Sequence, residues 1–296
     1  MKKQALKYWI LAARPKTLSA SVMPVLVASA LAWSDGAFRW QPALICFLFA
    51  LAAQIVSNFL NDYFDFVKGS DREDRLGPER AVAQGWISAK SMLYGAVLLM
   101  GIACLLGCSI IYYAGWEMIL VGVAVCLGVF FYSAGPYPLA YRGWGDCCVL
   151  LFYGLIPVGF TYYTQALEWT WPVTICGIAL GLVSTNILVA NNYRDREQDL
   201  ISRKYTTIVL FGEKFGRYFY LLNGVVAVTV CLLLLFFTKN QAAVLPAIYL
   251  IPHILVWKKM SRIRTGKELN CILGESARNV VLFGLLLIAG LLVRLI

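Results

Sequence analysis

The chain has 296 residues, of which 60% are hydrophobic and 14% charged, with a formal net charge of +10. So few charges exclude an ordinary soluble domain and point to an integral membrane protein. The positive balance would suit nucleic acid, but the basic residues sit where a membrane topology puts them. The nine Cys show no metal-ligand spacing, and most lie inside apolar segments, where Cys behaves as a small hydrophobe. Cys147 and Cys148 are adjacent, a poor arrangement for a disulfide staple, so neither a disulfide framework nor a zinc site is expected. The single His, His253, lies in an apolar run and reads as a packed or interfacial side chain. The first apolar run follows five basic residues but continues as a span, so no cleavable signal is expected.

In chain order, nine stretches read as membrane spans, each needing about 20 mostly apolar residues. They are roughly 17–33, 41–64, 92–113, 116–133, 147–165, 171–191, 218–237, 242–257 and 278–295, the fourth and eighth being short. Pro24, Pro157, Pro246 and Pro252 fall inside spans, where Pro is tolerated if neighbours satisfy the freed carbonyls. A cytoplasmic N-terminus puts 23 Lys and Arg on the inner side, among them Arg72, Arg75 and Arg278, and leaves Arg39, Lys239 and Arg294 outside. The positive-inside rule therefore predicts nine transmembrane helices, N-terminus cytoplasmic and C-terminus outside. Trp9, Trp33 and Trp116, near span ends, read as interfacial belt residues.

Two acidic stretches end the second and sixth spans: NFLNDYFDFVKGSD, residues 58–71, and NNYRDREQD, residues 191–199. On a helix of 3.6 residues per turn, Asn58, Asp62 and Asp65 fall within about 60°, and Asn191, Asp195 and Asp199 within about 80°. Each stretch thus presents one acidic face at the same predicted membrane side. Asn58 to Asn191 and Asp62 to Asp195 share an offset of 133 residues, as do Pro24 and Pro157. The offset suggests a single domain built of two four-helix halves and a final helix, with a site shared at their interface. Neutralisation of nearby basic residues would explain one such cluster; two matched clusters ask for a ligand. Carboxylates with Asn beside them suit Mg²⁺, which takes oxygen ligands and typically bridges one or two carboxylates to substrate phosphates. Lys68, Arg72, Arg80, Arg194 and Lys204 are close in sequence and would supply the cationic half of a diphosphate clamp. Coupling ions of a transporter are the other reading of intramembrane acids, although both clusters lie at one membrane face.

A third stretch, YSAGPYPLAYRGWGD (132–146), stops the fourth span at Gly135, Pro136 and Pro138 and turns tightly at Gly143 and Gly145. It carries Tyr132, Tyr137, Tyr141 and Arg142, read either as interfacial aromatics or as a wall of the cytoplasmic pocket with hydroxyls and Arg142 aimed at substrate.

These residues resemble a known group. The two acidic stretches, the second followed by KYTTIVLFG, look like the Asp-rich motifs of the UbiA superfamily of membrane prenyltransferases. ARPKTLSASVMPV, GPERAVAQGWIS and YSAGPYPLAYRGWGD are similar to the 1,4-dihydroxy-2-naphthoate polyprenyltransferases of menaquinone synthesis. Two departures stand out: Asp146 stands where Glu is expected, and Ser-Arg-Lys-Tyr-Thr-Thr replaces a Gly-Lys-Arg-Thr type of run around Lys204. The resemblance implies nine helices around a central cavity, both motifs facing each other under a cytoplasmic cap, in a bacterial inner membrane. It implies transfer of a polyprenyl chain from its diphosphate to an aromatic ring carbon, with loss of CO₂ from the naphthoate. Mg²⁺ on the diphosphate would be held by Asn58, Asp62 and Asp65 and by Asn191, Asp195 and Asp199. Asn61, Asp71 and Asn192 would join the substrate site, and Lys68, Arg80 and Lys204 would neutralise the diphosphate. The Tyr side chains of the 132–141 stretch, Tyr132, Tyr137 and Tyr141, would shield the allylic cation, Arg142 would point at substrate, and Arg14 and Lys16 would contact the acidic acceptor. The partners implied are the polyprenyl diphosphate, the aromatic acceptor and membrane lipid. A 4-hydroxybenzoate or homogentisate type of acceptor is the alternative within the superfamily, and a CDP-alcohol phosphotransferase lacks support because its Asp-Gly pairing is missing.

Overall fold

The structure, a computed structural model, describes residues 2–69 and 76–293 and, within them, every side chain but those of residues 2–5 and Lys16. Asp71, Arg72, Arg75 and Arg294 lie outside the described residues, as does the Lys16 side chain. Hydrocarbon offers the backbone no hydrogen-bond partner, so a chain this apolar closes its hydrogen bonds within helices. Among the described residues every regular element is helical. α1 (Lys2–Ala13) is followed by α2 (Pro15–Ser34), α3 (Trp40–Val67), α4 (Ala89–Ala114), α5 (Met118–Ser133), α6 (Gly145–Ala166), α7 (Trp171–Ile201), α8 (Thr207–Thr238), α9 (Gln241–Ile263) and α10 (Lys267–Leu292).

Each predicted span has a helix, but the count of nine is not met by length. Eight helices, α2–α4 and α6–α10, are long and apolar enough to cross a membrane, whereas α5 has 16 residues. At 1.5 Å per residue α5 rises about 24 Å, short of a ~30 Å hydrocarbon core. Helix ends also run past the predicted edges, because hydropathy marks where lipid ends and not where hydrogen bonding ends. α7 continues through the whole second acidic stretch to Ile201. α10 begins at Lys267, so Arg278 is helical and lies 3.9 Å from Glu275. α8 starts at Thr207 and breaks at Gly212, whose φ of 88° no ordinary side chain adopts readily. α9 opens as a 3₁₀ helix, Gln241–Tyr249, around Pro246.

Two local devices set the geometry near the site. Arg14 parts α1 from α2 with a left-handed backbone, φ 51° and ψ 68°; Pro15 disfavours the right-handed helical region for the residue before it. In α6, residues Leu151–Leu155 widen into a π turn just before Pro157. Pro157 has no N–H to give the Tyr153 carbonyl, and the wider turn relieves the clash of its ring with that carbonyl.

α3 lies along α4 and α7 along α8, while α2 packs against α10 and α6. α6 meets α7 at bare backbone: a Cβ on Gly154 would fall 2.4 Å from the Gly177 carbonyl oxygen and 2.6 Å from the Gly181 Cα. Gly177 and Gly181 are four apart, the small-residue spacing that lets membrane helices touch. α7 is the more enclosed of the two motif-bearing helices, 72% buried in its spanning window against 44% for α3. The main apolar core joins α2 with α6–α10, and a smaller one joins α1, α3 and α4. Trp9 packs half-buried against the latter, its ring 5.3 Å from that of Phe59 and seated over Gly95; Trp33 and Trp116 are exposed. His253 is fully buried between the rings of Tyr220 and Tyr249, hydrogen-bonded to Tyr249 and the Leu221 carbonyl.

Candidate active site

Helix α3, helix α7 with the turn after it, and the loop after α5 meet at one end of the bundle. They surround a cavity of about 340 Å³, within the range of small-molecule sites. Arg14, Asn58, Asn61, Asp65, Arg80, Tyr141, Asn191 and Lys204 line its polar mouth. Phe49, Val121, Val125, Phe152, Ile156 and Phe160 line its apolar part, between α3, α5 and α6.

On the α3 side, Asp65 is held from two directions. Arg80 Nη2 lies 2.6 Å from Asp65 Oδ2, and the Tyr141 hydroxyl donates to Oδ1 at 3.0 Å. Arg80 also donates to the Asn61 carbonyl, 2.8 Å, which closes the loop after α3 back onto its parent helix. The Asn61 side chain accepts from the Ser133 hydroxyl at the end of α5. Lys68 donates to the Ser133 carbonyl at 2.5 Å and stands 4.5 Å from the Tyr141 ring centre; desolvation lowers its pKa from the ordinary lysine value, opposed by the charge of Asp65. Asp62 is buried one helical turn back, where Oδ2 accepts from the Ala81 backbone N–H and Oδ1 has no hydrogen-bond partner. Asn58 donates to the Ala13 carbonyl, 2.9 Å, and to Thr17 Oγ1, 3.2 Å, and so clasps the α1–α2 hinge.

On the α7 side, compensation comes from within the stretch. Arg194 is 2% exposed and grips Asp195 with two nitrogens at 2.7 and 2.5 Å. It also donates to Asn191 Oδ1 and to Asn270 Oδ1 of α10, both at 2.8 Å. Asn270 in turn donates to the Leu76 carbonyl of the loop after α3. Asp199 faces Lys204 Nζ at 3.4 Å. The chain turns back after α7 at Arg203, φ 54°: the Lys204 N–H bonds the Asp199 carbonyl and the Arg203 N–H that of Leu200. This paired helix-end motif satisfies two carbonyls and returns Lys204 over Asp199.

Of the predicted residues, Asp62, Asp195, Asp199 and Asn192 are buried behind the cavity wall and do not line it. Tyr132 lines it, but Tyr137 and Arg142 do not; they are exposed and stack on each other at 4.8 Å. Arg194, expected on a phosphate, is spent inside the protein. Tyr141, read with the third stretch as part of a pocket wall, does line the cavity. Sequence reasoning gave no site role to Gln54, Ser57 and Tyr153, which carry no motif signal and reach the cavity from opposing helices.

The profile of the UbiA prenyltransferase family matches residues 21–273. The chain belongs to that family. It is 32% identical to a 1,4-dihydroxy-2-naphthoate octaprenyltransferase of Mycobacterium leprae, over 94% of this chain and 93% of the relative. It is 36% identical to the enzyme of the same name from Haemophilus influenzae, over 73% of each chain. A solved UbiA homologue from Archaeoglobus fulgidus, bound to GPP and Mg²⁺, is 16% identical and superposes with a TM-score of 0.68 over 97% of this chain and all of the other. This member is accordingly a multi-pass membrane protein and a prenyltransferase.

Among the described residues of this family member, no three His, Cys, Asp or Glu side chains are grouped to cage a metal. Mg²⁺ does not require a cage, since one or two carboxylates, waters and phosphate oxygens complete its shell. The buried, unpartnered Asp62 Oδ1 and Asp199 Oδ2, one on each motif helix, are hard oxygen donors of the kind it takes. The donor set fits that ion.

Proposed function

We propose that this protein transfers a polyprenyl group from its diphosphate to 1,4-dihydroxy-2-naphthoate, with loss of CO₂, giving a demethylmenaquinone in its reduced, hydroquinone form. The observation that carries the reading is one continuous cavity with an acid-and-base mouth and an apolar shaft, in a chain whose relatives bear the naphthoate enzyme's name. Along α5 the lining runs from Met118 to Tyr132, about 21 Å of helix rise, which suits an extended isoprenoid tail below a diphosphate head. The mouth would face the cytoplasm of a bacterial inner membrane, with the N-terminus inside and the C-terminus outside, as the basic residues favour.

Mg²⁺ would be held by Asp62 and Asp65 on α3 and by Asp199 on α7; Asn58, Asn191 and Asp195, also expected as ligands, have their side-chain oxygens engaged by Gln54 and Arg194. When bound it would supply Lewis-acid neutralisation of the departing diphosphate. Arg80 and Lys204, at the mouth, take diphosphate oxygens and stabilise the charge that grows as the allylic C–O bond ionises. Asn61 completes that rim, and Lys68 stands outside it against the Tyr141 ring. The rings of Tyr132 and Tyr141 offer their faces to the allylic cation. Arg14, at the α1–α2 hinge, pairs with the acceptor carboxylate, and the ring carbon attacks.

The test is a detergent-solubilised assay with geranyl or farnesyl diphosphate, 1,4-dihydroxy-2-naphthoate and Mg²⁺, with and without EDTA, following prenylated product and CO₂. Mg²⁺-dependent product with matching CO₂ is expected. Product from 4-hydroxybenzoate or homogentisate alone would move the acceptor and keep the site. Folded protein that prenylates no aromatic acceptor would overturn the reading.

A further inference from the structure

Behind the wall of the main cavity lies a second one, of about 10 Å³, close to the room one buried water needs. Tyr132 and Lys204 line both cavities, and Asp146, Asn192 and Thr207 line only the small one. Asp146 is 8% and Asn192 3% exposed. The Thr207 hydroxyl donates to Asp146 Oδ2 at 2.6 Å. Asp146 Oδ1 and Asn192 Oδ1 are buried and have no hydrogen-bond partner. Two unsatisfied acceptors in one polar void are costly unless a donor joins them, and a water there finds both, with the Tyr132 hydroxyl on the same wall. The buried carboxylates among the described residues are Asp62, Asp146, Asp195 and Asp199. Three of these belong to the acidic motifs assigned above to the diphosphate. Asp146 is the remaining one, and its partner is a neutral hydroxyl.

We propose that Asp146 and Asn192 hold one water behind the cavity wall, and that this water, reached through the Tyr132 hydroxyl, carries the acceptor's hydroxyl proton to Asp146 as the new carbon–carbon bond forms. The inference rests on the aromatic prenyl transfer proposed above. The acceptor O–H bond breaks, and its electron pair moves into the ring. The ring carbon bearing the carboxylate bonds to the prenyl C1, whose C–O pair leaves with the diphosphate. Tyr132 takes the proton while passing its own to the water, which protonates Asp146, so each oxygen between gains one proton and loses one. When the ring carbon sheds CO₂, the freed electron pair restores the aromatic ring and leaves an oxyanion. Asp146 returns the proton to it by the same path. No oxidant, reductant or net proton is needed. Asp146 is thus a positioned proton acceptor acting through a relay, and Asn192 is a positioning residue for the water.

The experiment compares Asp146→Asn, Asp146→Glu and Asn192→Leu with the parent enzyme in the naphthoate assay. Steady-state constants are read for both substrates, with detergent thermal melts as the folding control. Asp146→Asn is expected to lower kcat by about 10²-fold or more while both KM values stay within about threefold. Asp146→Glu should recover most of the loss, and Asn192→Leu should lie between. An acceptor fluorinated so that its hydroxyl is already ionised at the assay pH should restore Asp146→Asn to within about fivefold of the parent on that acceptor, which a merely structural Asp146 would not allow. Should Asp146→Asn melt with the parent and keep its kcat, or lose kcat equally on the ionised acceptor, the relay is wrong while the prenyl-transfer reading stands. If Asp146→Asn does not fold, Asn192→Leu carries the test: an unchanged kcat overturns the relay, and a loss recovered on the ionised acceptor supports it. A parent enzyme inactive on every aromatic acceptor would sink the prenyl-transfer reading itself.

Discussion

The two acidic stretches begin as near copies, Asn and Asp four residues apart at the end of an apolar helix, yet their charges are compensated in different ways. On α3, the partners of Asp65 come from elsewhere in the chain: Arg80 from the loop after the helix and Tyr141 from the loop after α5. Both loop residues line the cavity. On α7, the partner of Asp195 is its own neighbour Arg194, buried and tied onward to Asn191 and Asn270. One acidic face is therefore assembled by loops at the mouth, and the other is built into the most enclosed motif helix. A salt bridge that lines the cavity can exchange with an incoming anion, whereas a guanidinium with no face on the cavity and its hydrogen bonds filled is framework.

The comparison breaks most sharply at Arg194. Arg194→Met strands a buried Asp195 and should cost about 3–5 kcal/mol, read as loss of the monodisperse detergent-solubilised protein or a large drop in Tm. Arg80→Met should lower Tm less than Arg194→Met, because Asp65 keeps its Tyr141 hydrogen bond and is somewhat more exposed than Asp195. If Arg80→Met unfolds the protein and Arg194→Met does not, the roles are reversed. Next in size is Asp65→Asn, expected to lower turnover by about 10³-fold in folded protein, as for the loss of a group that stabilises transition-state charge. Asp62→Asn and Asp195→Asn are expected to abolish turnover too, but Asp195→Asn should also lower Tm, since its carboxylate closes the Arg194 network. Arg80→Met should then weaken geranyl diphosphate binding by about tenfold or more, measured by tryptophan quenching or competition. The smallest effect belongs to Tyr141→Phe. It removes one hydrogen bond to Asp65 and keeps the ring under Lys68, so a loss of about 1–2 kcal/mol, up to roughly thirtyfold in kcat/KM, is expected.

The Schellman turn at Arg203 and the hinge at Arg14 show how a site is completed by backbone that carries no motif. Neither position is glycine, and both take positive φ. At the hinge Pro15 disfavours the right-handed helical region for Arg14, which ends α1 there. At Arg203 no residue type announces it. Strain of this kind collects near functional sites, and it aims Lys204 at Asp199.

Much was legible in one dimension. Apolar runs located every membrane helix, because lipid demands them. The spacing of Asn58, Asp62 and Asp65 and of their counterparts on α7 put each set on one helical face, because 3.6 residues make a turn. What one dimension lacked was depth and pairing. Hydropathy marked the fourth span as short, but it could not say that α7 stays helical to Ile201 or that Trp9 packs against Phe59. Nor could spacing say which cation each acid meets. Arg80 is fifteen residues from Asp65 and Arg194 is next to Asp195, and only the fold turns the first into a rim and the second into a brace. The cavity itself, with Asp146 behind its wall, exists only once α3, α5, α6 and α7 are assembled, because an enclosed space belongs to no single stretch of chain.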